Sequence, residues 1–229
     1  ATDVPGILSA LRQILYYIKT QSSTSNAPLA TPSRSAAGDD YYYQAQYHPQ
    51  QGKQWKGDLV KYTYDGESFT KSWSAADILV SRDWGDRDVY TAAPGLTGEL
   101  NNLAALDPSN TTKTSAMGSL AGLTSTEATG FFRWLLGKDE YDENKNGSTA
   151  DEHHKLFDIY HSGIVKVGPP DASVNDVDYR DFLTTYKDRP VVLYTQSNGG
   201  MLHAFNDTDG TERFAFIPTN ILTTGRLRG

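Results

Sequence analysis

The chain has 229 residues, 38% of them apolar, and a formal net charge of −7 from 21 Lys and Arg against 28 Asp and Glu. That apolar content supports one large or two small buried cores and excludes a disordered chain. The absence of cysteine excludes disulfide frameworks, thiolate metal sites and cysteine nucleophiles, and an acidic chain with no basic cluster excludes a nucleic-acid partner.

From the N-terminus, Val4, Ile7, Leu8, Leu11, Ile14, Leu15 and Ile18 form a 3.6-residue stripe with Asp3 as N-cap, so residues 1–20 are expected to form an amphipathic helix closing a preceding domain. No apolar run approaches the roughly 20 residues of a membrane span, and Ala1-Thr2-Asp3 is neither an initiator methionine nor a signal peptide, which reads as a processed or internal segment. Residues 21–40, rich in Ser, Thr, Ala and Pro, read as a linker.

Strand signals begin at Tyr41. Tyr41 to Tyr47, Gly57 to Tyr64 and Ser68 to Trp73, the last two separated by Asp65-Gly66, predict an antiparallel meander. A short strand is expected over Asp88 to Thr91. The pattern then turns helical, around Gly98 to Leu106 and again around Ser125 to Leu136, where Thr124 and Glu127 make a capping box and Phe131, Phe132, Trp134, Leu135 and Leu136 require burial. Strands resume over Ile159 to Val167, Pro190 to Gln196, Met201 to Asn206 and Thr211 to Ile217, the last pair closed by Asp207-Thr208-Asp209-Gly210. Roughly eight or nine strands result, enough for two or three blades of a propeller whose closed form has typically four to eight.

Three stretches carry more specific information. Tyr194-Thr-Gln-Ser-Asn-Gly-Gly-Met-Leu-His-Ala-Phe-Asn206 runs on to Phe214-Ala-Phe-Ile-Pro218; Asp158-Ile-Tyr-His-Ser162 leads into Val165-Lys-Val-Gly-Pro-Pro170; and Tyr43-Gln-Ala-Gln-Tyr47, Trp55-Lys-Gly-Asp-Leu59, Trp73-Ser-Ala-Ala76 and Arg87-Asp-Val-Tyr90 precede both. In this order they resemble the PilC/PilY family of type IV pilus proteins, with Phe157 standing where the family usually has Gly and Ile164 where it has Pro. The resemblance implies a mainly β fold, with residues 1–20 ending a von Willebrand A-like domain. Residues 41–229 would begin a modified β-propeller carrying a helical insertion at about 97–137, in which His203, Phe205, Phe214 and Phe216 pack between blades. It further implies an extracellular pilus-tip adhesin and assembly factor that binds rather than catalyses, responds to calcium, and meets minor pilins, a host or abiotic surface and the remainder of its own propeller.

Asp142-Glu-Asn-Lys-Asn-Gly147 places oxygen donors at alternate positions and Gly at the sixth, as a calcium loop requires. Positions nine and twelve are Ala150 and His153, so the closing carboxylate must come from Asp151 or Glu152; the candidate calcium ligands are Asp142, Asn144, Asn146, Asp151 and Glu152. Glu152, His153, His154, Asp158 and His161 lack zinc-site spacing, and Ser162 beside His161 lacks a nucleophile elbow. Two further readings stand beside the adhesin. Met201 to Phe214 also resembles a blade of quinoprotein dehydrogenases, which hold pyrroloquinoline quinone in a full ring. Exposed aromatics such as Tyr41, Tyr42, Trp55 and Trp84 would suit a lectin-like module that stacks on sugar rings.

Overall fold

The computed structural model describes residues 24–25, 29–34, 40–50, 54–92, 103–170 and 176–223. The helix expected over 1–20 lies outside them. Of the expected linker, Thr24–Ser25 (β1) and Leu29–Arg34 (β2) run as strands along one edge of Asp40–His48 (β3).

β3 continues into the antiparallel meander, pairing with Lys56–Tyr64 (β4), which pairs with Phe69–Ser74 (β5). The β4–β5 turn forms because the Asp65 carboxylate accepts from the main-chain N–H groups of Glu67 at 2.9 Å and Ser68 at 2.8 Å. At the end of β5, Ser74 caps Ala75–Ser81 (α1), its hydroxyl accepting from the Asp77 N–H at 3.1 Å.

A second sheet holds six strands in the order β7-β6-β11-β10-β9-β8. They are Val89–Ala92 (β6), Leu103–Ala105 (β7), Val165–Val167 (β8), Val192–Gln196 (β9), Leu202–Asn206 (β10) and Glu212–Ile217 (β11). β6 and β11 run parallel and every other pair antiparallel. The described residues are thus mainly β, in two sheets, neither of which closes into a barrel.

Two helices are inserted between β7 and β8: Thr111–Leu120 (α2) and Ser125–Leu136 (α3). The expected capping box is present, with Thr124 and Glu127 bonding reciprocally. The apolar run of α3 is buried as its sequence requires, Phe131, Phe132, Leu135 and Leu136 packing with Met117 of α2 and with Val89, Ala215 and Ile217 of the sheet. The helices cross closely at Gly118, where a Cβ would lie 2.3 Å from that of Ala128. On the same sheet face, Leu193 and Phe205 meet Tyr43, Ala45, Leu59 and Trp73 of the meander in a second core.

The turn between β10 and β11 joins the two sheets. The Asp207 carbonyl accepts from the Lys61 ammonium at 2.9 Å and the Trp73 indole at 3.0 Å, and its carboxylate accepts from the Tyr43 hydroxyl. Gly210, at φ 74°, lies against the Trp73 ring, which a Cβ would meet at 2.6 Å.

Several sequence expectations need correction. Leu103–Ala105 is an edge strand where a helical stretch was expected; a short apolar run fits either period, and pairing with β6 decides it. The strand expected over 159–167 is confined to β8, because the Asp158 carbonyl and carboxylate take the Asn198 main-chain and side-chain N–H groups at 2.9 and 2.5 Å, and His161 adopts φ 61°. A ten-residue helix, Val177–Tyr186 (α4), occupies part of the connection between β8 and β9, capped by Asp176. A short final helix, Thr219–Thr223 (α5), follows β11. Phe157 is buried among the main-core residues and Ile164 in the second core.

Candidate calcium-binding loop

The loop after α3 is built by side chains that satisfy its own backbone. Asp142 and Lys145 adopt φ of 51° and 58°, and Gly147 one of 82°. Around this tight curve the Asp142 carboxylate accepts from the N–H groups of Asn146 at 2.9 Å and Gly147 at 3.1 Å. Asp151 closes it, one carboxylate oxygen accepting from the Asn144 amide at 2.6 Å and the Asn146 amide at 2.8 Å. The Asn144 amide, and then that of Asn146, holds the Asp151 carboxyl below the usual carboxylate range.

Four of the five proposed ligands, Asp142, Asn144, Asn146 and Asp151, are therefore brought together. Glu152 is not. Its carboxylate accepts from the Trp84 N–H at 2.8 Å and pairs with Lys155, whose ammonium also donates to the Leu79 carbonyl at 2.9 Å. Among the described residues no group of three or more His, Asp or Glu is placed to hold a metal ion. The loop offers two carboxylates and two carboxamides, a hard-oxygen set that suits calcium. Two buried carboxylate oxygens, Asp151 Oδ1 and Asp139 Oδ2, have no hydrogen-bond partner, and the Asp139 main chain is tied to the loop, its N–H donating to the Asp151 carbonyl at 2.9 Å. Orphaned buried acceptors at such a loop fit a cation.

The histidines have separate roles. The His153 ring contacts the Trp134 carbonyl at 2.7 Å and the His154 ring the Gly57 carbonyl at 2.9 Å. Burial holds the His154 imidazole below its ordinary value. At the β10–β11 turn, the Asp209 carboxylate accepts from the Thr211 N–H at 3.0 Å and hydroxyl at 2.7 Å.

A buried polar network escaped the sequence reading. Arg87 and Glu212 pair at 2.8 Å, both side chains fully buried. The same carboxylate meets His203 Nδ1 at 2.8 Å, and His203 Nε2 meets the Ser197 hydroxyl at 3.0 Å. Arg87 also donates to the Leu136 carbonyl at 2.8 Å, closing the end of α3. Strand alternation places Glu212 outward or inward only once the bulge at Ala204/Phe205 is known. The four residues expected to pack together divide accordingly: His203 and Phe205 are fully buried, while Phe214 and Phe216 are half-buried.

Of the four aromatics singled out for sugar stacking, Trp55 alone is well exposed. Tyr41 lies under the Lys61 ammonium, Tyr42 packs edge-on to Phe69, and Trp84 packs against the main core.

No family model and no solved structure matches the chain. Curated proteins do. The chain is 30% identical to the type IV pilus biogenesis factor PilY1 of Pseudomonas aeruginosa strain UCBPP-PA14, over 96% of this chain and 20% of that protein. Identity to the protein of the same name in strain PAK is 28%, over 94% of this chain and 20% of that protein. For the PilY1 homolog of Xylella fastidiosa strain Temecula1 it is 25%, over 95% and 17%. The chain spans about a fifth of the length of the curated relatives it matches.

Proposed function

Because the chain belongs to the PilC/PilY family, we propose that it is part of a type IV pilus biogenesis factor acting at the cell surface as a pilus-tip adhesin and assembly factor. The observation carrying this reading is the similarity over 94–96% of the chain to proteins named for pilus biogenesis. The action is binding rather than catalysis, directed to minor pilins and to a host or abiotic surface. No helix among the described residues is long and apolar enough to cross a membrane.

The six-stranded sheet belongs, in this reading, to a modified propeller that polypeptide beyond this chain completes. Support comes from the sheet face opposite the two cores, where Tyr90, Tyr194, Leu202, Phe214 and Phe216 are only half-buried and suit a neighbouring blade. Asp142, Asn144, Asn146 and Asp151 would hold calcium, with Asp139 behind them. Calcium would supply a divalent charge that draws these oxygens together. The loop residues keep the curve on their own through the Asp142 and Asp151 hydrogen bonds, so the ion stabilises a shape already present.

Complementation of a deletion strain tests the proposal. Restoration of surface piliation and attachment by the wild-type protein supports it; normal piliation and attachment in the strain without the protein refutes it. Dye-linked dehydrogenase turnover with pyrroloquinoline quinone would favour the quinoprotein alternative instead.

A further inference from the structure

The aromatic side chains around Trp55 form an exposed corner of the first sheet. Tyr47 pairs in register with Gly57, so Trp55, two residues earlier, projects from the same face of the sheet. The two rings are nearly parallel, 7° apart with centroids at 5.9 Å. Tyr160, from the segment before β8, stands across Tyr47 at 77° and 5.2 Å. His161 lies flat on Tyr160 at 3.8 Å, its backbone in the left-handed region at φ 61°. Trp55 is 41% and Tyr160 43% exposed, and His161 is exposed as well.

We propose that this corner, a floor of Trp55 and Tyr47 with a wall of Tyr160 and His161, binds the sugar rings of a surface glycan. The inference rests on the adhesin reading and names its ligand class.

Three features select a carbohydrate. A pyranose presents an apolar C–H face ringed by hydroxyls, and flat aromatic side chains meet such a face while losing little side-chain entropy. The four residues include no carboxylate, so a cationic ligand would meet only the ring quadrupoles. His161 adds a polar ring edge for hydroxyls, and its left-handed backbone sets the imidazole flat on Tyr160 in the open.

The experiment applies the purified protein to a printed array of oligosaccharides with hexose, N-acetylhexosamine and uronic acid termini, with titration of hits by Trp fluorescence. Binding is expected, weakened about tenfold by Trp55→Ala or Tyr160→Ala, partly retained by Trp55→Phe, and unchanged by Tyr186→Ala on the exposed side of α4. Melting temperatures identify any variant that fails to fold, and Trp55→Phe then carries the test. An array without hits, or hits indifferent to Trp55 and Tyr160, overturns the inference. Attachment of piliated cells separates the two readings: wild-type attachment by the Trp55→Ala strain refutes the glycan corner alone, whereas attachment without the protein refutes the adhesin.

Discussion

Arg87 and Glu212, 125 positions apart, meet at 2.8 Å with both side chains fully buried. The pair links the strand entering the sheet centre to β11 and, through the Leu136 carbonyl, to the end of α3. Arg87→Met leaves a buried carboxylate without its cation and should cost about 3–5 kcal/mol. Arg87→Met with Glu212→Met should recover part of that loss. Urea unfolding of the single and double variants measures it, and equal losses would mean the pairing itself is not what the fold requires.

The same pair predicts a pH dependence. Burial, the largest single influence, would raise the Glu212 carboxyl, but the Arg87 guanidinium and the hydrogen bond with His203 together outweigh it, and the carboxyl sits far below its ordinary value. A depressed folded-state value contributes stability above the unfolded value of about 4.3, lost as pH falls toward the folded one. Asp58 acts with the opposite sign, since burial raises its carboxyl despite hydrogen bonds from Ala76 and Ser74. The informative quantity is therefore a difference. The stability advantage of wild type over Glu212→Gln should shrink between about pH 6 and about pH 3 in denaturant titrations.

Calcium at the 142–151 loop should raise the melting temperature, with about 2.7 kcal/mol of stabilisation at a hundredfold excess over Kd. Asp142→Ala and Asp151→Ala should each abolish the rise, and Glu152→Gln should leave it, because Glu152 is engaged with Lys155 and Trp84. Differential scanning calorimetry with calcium and with chelator checks all three. A wild-type protein indifferent to both additions removes calcium from the loop.

The α2–α3 crossing has no room for a side chain at position 118. Gly118→Val should destabilise by roughly 1–3 kcal/mol through overpacking against Ala128, read as a lower urea midpoint with an unchanged slope. A neutral substitution would show that the helices separate at little cost.

Local chemistry made much of this fold legible. Asp65-Gly66, the Thr124–Glu127 box and the alternation in β3 and β4 act within a few residues, so each declares itself in sequence. The helix α4 was not expected, although its signals are local: Asp176 caps it, and Tyr179, Phe182, Leu183 and Tyr186 recur at helical spacing. The strand at Leu103–Ala105 was not legible, since only its pairing with β6 distinguishes it from a helical turn. The calcium-type loop could be located from Asp142 to Gly147, but which neighbouring carboxylate closes it depended on Lys155, whose ammonium draws Glu152 away. The Arg87–Glu212–His203 network had no sequence signal, because a bulge and a long-range crossing bring its members together.

The parallel contact between β6 and β11 joins Thr91 to Ile217 across 126 positions. A chain delivered from its N-terminus therefore releases β6 long before its partner, with α2, α3, α4 and the 142–151 loop in between. The centre of the sheet can close only after β11 has emerged, so folding should be slow and governed by contact order. Until then the edges of β6 and β10 are bare, and a holding chaperone has its greatest value in that interval.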